Sequence, residues 1–386
     1  MYDWLIVGGG IAGAALAYEL VRQGLRVQLL DRAPNASSAT RYSYGGLAYW
    51  SGTSPLTRQL CQEGIAIYRQ LGDELDADIE FRELDLLLTV TPTADPVQVA
   101  VDYDQLAIAP TLLSRAQACE REPQLNPAAL SGALHLPHAH IHTQKTAAAY
   151  LAAYQRLGGQ LVWEPVLALS RQGDRLVGVH TAQQQYRAAN VAICAGGFSR
   201  ALLHAAGVRL PLYFTHAEIV QIPPVDWRLR ALIMPAQLQR FDLERQAAQQ
   251  DDAWDHPGQE LAAAILDPGA IQFGDRSLYI GQISRALTDP DAKVEPAASE
   301  AHLRAAVEDL LPALRGVPGR WQRCLVAFTA MTTPAIGAIP GLHGAHLFAG
   351  FPNSLTCTAP LARHWATQAA GVEDAVMAQV AIPPSV

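Results

Sequence analysis

Hydrophobic positions change their rhythm along the chain, and the changes mark out its elements. Residues 5–10, LIVGGG, are an apolar run that meets glycines, the pattern of a strand buried on both faces. AGAALAYELVRQG (12–24) is rich in Ala and Leu and closes on Gly24, which predicts a helix with a glycine stop. RVQLLD (26–31) predicts a second strand that ends on an acid. Strand, glycine turn and helix start recur in YRAANVAICAGGFSRALL (186–203) and in GLHGAHLFAGFPNSLTCTAPLARHWA (341–366). LVWEPVLALS (161–170) reads as one more strand. Between about 209 and 321 the rhythm shifts to short, partly alternating runs, FTHAEIVQIP and AIQFGDRSLYIGQI, as in half-buried strands. SEAHLRAAVEDLLPAL (299–314) has helical spacing, and the polar RQAAQQDDAWDHPGQE (245–260) reads as an exposed loop and candidate lid. The expected architecture is α/β (α+β overall): a Rossmann-type domain and a second domain built on an antiparallel sheet.

The glycines of the first turn are spaced GxGxxG. Gly8 permits the tight turn, Gly10 lets a pyrophosphate approach the backbone, and Gly13 lets the helix lie close on its strand. Ile11 and Ala12 open a helix whose free amides and dipole suit phosphate. Asp31 lies 18 residues after Gly13, where a carboxylate accepts from ribose hydroxyls and repels a 2′-phosphate, which disfavours NADP. This unit binds a dinucleotide but does not separate FAD from NAD. Three later stretches bear on that choice. SSATRYSYGG (37–46) offers Arg41 to a phosphate, Ser43 as a polar contact, and Gly45, Gly46 and the following Leu47 as backbone against a flat ring. Ala195 and Gly196 form a second turn on the same nucleotide, with Val166 placed against the adenine. Gly350, Phe351, Asn353 and Ser354 form a third turn, where Asn353, Ser354 or Thr356 caps a helix whose positive end suits a carbonyl that becomes anionic on reduction.

Composition narrows the classes. The net charge is −8, only Lys145 and Lys293 are lysines, and no basic run appears, which argues against nucleic acid. No apolar stretch reaches the length of a membrane-spanning helix, and the first strand leaves no room for a signal peptide. Five scattered cysteines without a CxxC pair suggest free thiols in the cytoplasm, with peripheral membrane association left open.

DWLIVGGGIAGAALAYELVRQGLRVQLLDR, SSATRYSYGG, ANVAICAGGFS and TPAIGAIPGLHGAHLFAGF together resemble the D-amino acid oxidase family of FAD-dependent oxidoreductases, which includes glycine oxidase, sarcosine oxidase and D-amino acid dehydrogenase. The resemblance implies FAD, held by residues that include Arg32. It implies a discontinuous FAD domain over 1–80, 146–208 and 322–386, and a substrate domain over 81–145 and 209–321. It also implies oxidation of the C–N bond of an amine or amino acid, by hydride transfer to flavin N5, giving an imine. Members that act on amino acids grip the carboxylate with an arginine, and Val326 stands at its place, eight residues before Pro334. Arg323, an odd number of residues away, faces the other side of a strand. Cys324 stands ten before Pro334, where sarcosine oxidases link the flavin covalently. Neither lysine falls on the strand that carries their oxygen-activating lysine, so oxygen and a quinone both stay open as electron acceptor.

Substrate-pocket candidates are Tyr49, Tyr279, Arg323 and Asn353, with Trp50, Tyr213 and His216 as further aromatic and imidazole groups. His138, His140 and His142 alternate in HLPHAHIHT and raise the question of a metal, without neighbouring carboxylates or cysteines to complete a site. Oxidation of a 2-hydroxy acid and a degenerate, non-catalytic FAD-binding role are the alternatives.

Overall fold

The computed structural model describes residues 2–384 except Asn35, Leu238 and Thr332. Strands Ala345–Leu347, Gln185–Ile193, Tyr2–Val7, Val27–Asp31 and Gln160–Trp163 lie side by side and parallel, in that order, and Gly337–Ala338 adds an antiparallel edge. Side chains of the first strand alternate between two cores. Trp4 and Ile6 join the core under helices Ile11–Arg22, Pro55–Leu75, Thr143–Arg156 and Ser354–Ala369. Leu5 and Val7 join the core on the opposite face. Burial on both faces is why this strand reads as an unbroken apolar run.

The second sheet has nine strands. Eight run in the order Arg320–Thr329, Leu212–Ile222, Leu278–Arg285, Ile265–Gln272, Ala231–Pro235, Arg82–Val90, Gly132–His140 and Gly46–Leu47, and Thr111–Ser114 pairs with Gly132–His140. Every pair is antiparallel except Ala231–Pro235 with Arg82–Val90. The strand Arg320–Thr329 runs across the position 321/322, where the domain boundary was expected, and pairs along its length with Leu212–Ile222.

Three expectations need correcting. LVWEPVLALS is two strands: Gln160–Trp163 joins the parallel sheet and Ala168–Gln172 forms a hairpin with Arg175–His180. Between them lies Pro165, which has no amide for either ladder. The stretch 245–260 is exposed along most of its length, as expected, but it is not an irregular loop: it holds the end of helix Gln239–Ala248 and a 3₁₀ turn at Asp251–Asp255. Trp254 is buried there, with ring centroids 5.1 Å from Phe214 and 5.2 Å from Tyr213, and Arg200 bonds both Asp251 and Asp255. One apolar ring in a polar stretch anchors it. The helix read from 299 starts at Pro296 and ends at Leu310, before Pro312.

Candidate functional site

Val7, Ile193 and Leu347 are in register across three neighbouring parallel strands, and Leu30 pairs with Val7 on the other side. The turns that follow, at Gly8–Gly10, Ala195–Gly196 and Gly350–Phe351, therefore gather at the carboxyl ends of the strands, where ligands of open parallel sheets bind. A methyl group on Gly13 would lie 1.9 Å from the Gly8 carbonyl oxygen, so glycine is required for the helix to seat. On Gly10 it would meet only the Thr40 hydroxyl, at 3.1 Å, which leaves that side open to a ligand. Asp31 Oδ2 accepts from the Gly9 amide at 2.5 Å, and Thr40 Oγ1 accepts from the Ile11 amide at 3.0 Å. The amides of Ala12 and Gly13 lie in the first helical turn, where no intrahelical acceptor exists.

Around these turns, Arg32 donates to the Ser37 carbonyl at 2.6 Å and stacks on Phe198 at 4.6 Å. Arg41 lies over the Tyr42 ring and its carbonyl accepts from Tyr279. Ser43 accepts from the Gly45 amide, and Gly46–Leu47 pairs with Ala139–His140 as an edge of the second sheet. Val166 is half-buried against the outer core of the parallel sheet. Asn353 occupies the cap position of helix Ser354–Ala369 in a left-handed conformation (φ 46°), but its side chain does not cap. Its Nδ2 donates to the Ala48 carbonyl at 3.1 Å and to Ser51 Oγ at 3.0 Å, so the first-turn amides of Ser354 and its successors keep no side-chain acceptor from it. Thr356 in that turn is fully buried and its hydroxyl has no protein partner.

The loop after Asp31 carries Tyr42, Tyr44 and Trp50 onto one side of the second sheet. Tyr42, Tyr44, Trp50, Tyr279, Cys324 and Val326 share one largely apolar cluster there. Trp50 donates from its indole to His138 Nδ1 at 3.0 Å, and Tyr44 donates to the Gly269 carbonyl. Burial pushes the Cys324 thiol up to about 12 and holds His138 and His140 down at about 3, so both imidazoles are neutral. Burial also raises Asp267 to about 6, against Arg240.

The structure brings Tyr279, Cys324 and Trp50 together and leaves four candidates elsewhere. Tyr49 packs on the core of the first domain. Arg323 faces away from Val326, bonds the Ala292 carbonyl and lines a cleft of about 460 Å³ with Ser37, Lys293 and Trp321. Tyr213 turns to Trp254, while His216 bonds the Asp289 carbonyl. His138 and His140 share a strand, whereas His142 caps the next helix. Among the described residues no group of three or more metal-ligating side chains occurs, and no helix is long and apolar enough to cross a membrane. Sequence reasoning missed Thr40 and the Trp50–His138 bond, whose partners are 29 and 88 residues apart. A threonine in the polar loop after Asp31 was the available signal for the first.

These features fit FAD: an open approach over Gly10, first-turn amides at two helix starts, and unpartnered buried polar atoms on Thr356 and His138. The comparisons agree. Residues 3–369 match the family model of DAO, FAD dependent oxidoreductase. The 4-methylaminobutanoate oxidase (formaldehyde-forming) of Paenarthrobacter nicotinovorans is 31% identical over 229 residues, which are 58% of this chain and 28% of that protein. Glycine oxidase of Geobacillus kaustophilus is 28% identical over 232 residues, 57% of this chain and 61% of that protein. The chain thus aligns with less than two thirds of either relative. The crystal structure of glycine oxidase from Geobacillus kaustophilus superposes with a TM-score of 0.81 at 20% identity, covering 100% of this chain and 99% of that one. From the glycine turns to the second sheet, the chain belongs to the DAO family of FAD-dependent oxidoreductases, and FAD is its cofactor.

Proposed function

We propose that this flavoprotein oxidises the C–N bond of an amine or amino acid. The observation that carries the reading is that the relatives 31% and 28% identical to it are named for 4-methylaminobutanoate and glycine, both of which present a carbon bonded to an amine nitrogen. FAD, when bound, supplies the two-electron acceptor at N5 for hydride leaving that carbon, and the imine left behind is hydrolysed by water. The chain supplies position and dryness. Asn353 ties the start of helix Ser354–Ala369 to Ala48 and Ser51, which aims the helix's positive end at the site. Tyr42, Tyr279, Cys324 and Val326 present an apolar wall that keeps water from the reacting carbon. Val326 gives a carboxylate no charge partner, which favours an amine whose acid group is absent or held at a distance.

The test is product identification. Holoenzyme incubated with glycine, sarcosine or an N-methylated amine and an artificial acceptor should release a carbonyl compound and the shortened amine or ammonia in step with acceptor reduction. Turnover of lactate or another 2-hydroxy acid, with every amine left intact, would overturn the reading.

A further inference from the structure

His138 is spent on nothing in the protein beyond its contact with Trp50. Gly46 pairs with His140 and Leu47 with Ala139, so alternation turns His138 and His140 to one face and Ala139 to the other. Ala139, Ile141 and Leu47 go into the core of the first domain. Leu134 and Leu136 mark the opposite face and pack with Tyr42, Tyr279 and Cys324. On that face a methyl group on Gly46 would lie 2.6 Å from His138 Nε2, so the ring edge lies against the glycine loop.

The tautomer follows from the Trp50 bond. Trp50 can only donate, so His138 Nδ1 is the acceptor and a neutral ring carries its hydrogen on Nε2. His138 is only 4% exposed, and Nε2 has no partner in the protein. Leaving such a donor unpaired is unfavourable, and a partner in the site removes that penalty.

Resting on the flavin reading above, we propose that His138 donates its Nε2–H to the polar edge of the bound flavin and raises the flavin's reduction potential. Reduction makes that edge more negative, so a fixed donor strengthens its bond in the reduced form. Trp50 is the positioning residue, because it fixes which nitrogen carries the hydrogen.

The test is the potential of the bound flavin, equilibrated against a reference dye without substrate. H138L should shift the equilibrium toward oxidised flavin about tenfold, which is about 30 mV for a two-electron couple. H138Q, which keeps a donor, should recover most of the shift. W50F should show a smaller shift in the same direction, and decides the matter together with H138Q if H138L does not fold. A yellow H138L protein with the wild-type potential would overturn the proposal. Benzoate binding, read from the flavin spectrum, separates the nearest rival. Benzoate affinity lost in H138L at unchanged potential would assign the donor to a substrate carboxylate and also overturn it. Failure of the flavin reading itself looks different, since the wild-type protein would then be colourless and would not take up FAD.

Discussion

Gly10 and Gly13 sit three residues apart and should fail differently when a methyl group is added. In G13A the methyl collides with the Gly8 carbonyl, so the helix must move off its strand. The expected outcome is a loss of at least about 2 kcal/mol in chemical unfolding and isolation without flavin. Gly10 has ordinary extended angles (φ −63°, ψ 177°), and an added methyl would meet a single neighbour, the Thr40 hydroxyl at 3.1 Å, a side chain able to give a few tenths of an ångström. G10A should leave apoprotein stability within about 1 kcal/mol of wild type yet weaken FAD binding at least tenfold in a fluorescence titration. Cys324 yields another expectation. Its thiol, pushed up to about 12 by burial, holds almost no thiolate, which is the reactive form. Acid precipitation should therefore leave the yellow colour in the supernatant; colour in the pellet would assign Cys324 a covalent flavin link.

Two elements carry predictions of their own. His364 on the helix Ser354–Ala369 bridges Glu63 at 2.8 Å and Asp374 at 2.7 Å, and those bonds hold it above the usual imidazole range. The fold favours the protonated ring, so its contribution is complete below pH 6.5, the ordinary value, and is lost as pH rises through the raised folded value. Glu63 is held down by the same bond, so its share is present above 4.5 and is lost as pH falls through the lowered value. The melting temperature of wild type minus that of H364Q should therefore shrink as pH rises from 6 to 9; a constant difference would contradict the bridge. The docked segment depends on Trp254. W254A should cost about 3–5 kcal/mol and open residues 245–260 to proteolysis while FAD stays bound. An unchanged cleavage pattern would show that the ion pairs of Arg200 hold the segment alone.

The molecule is built on two sheets, and they were unequally legible. Strands such as Tyr2–Val7 are buried on both faces, and their glycine turns are local, so spacing alone revealed them. In the second sheet, ladders join residues far apart: Gly46 pairs with His140, and Cys324 with Ala217. No local pattern places Trp50 on His138 or sends Tyr49 to the other core. The polarity of 245–260 concealed its anchor, because one buried tryptophan outweighs many exposed polar residues. What the whole assembly does is tested most directly by anaerobic mixing of the FAD-loaded protein with a panel of primary, secondary and N-methylated amines alongside 2-hydroxy acids, followed by the visible flavin band. The account predicts that the band bleaches with at least one amine and with no hydroxy acid. A band that bleaches only with hydroxy acids, or with no donor other than dithionite, would contradict it.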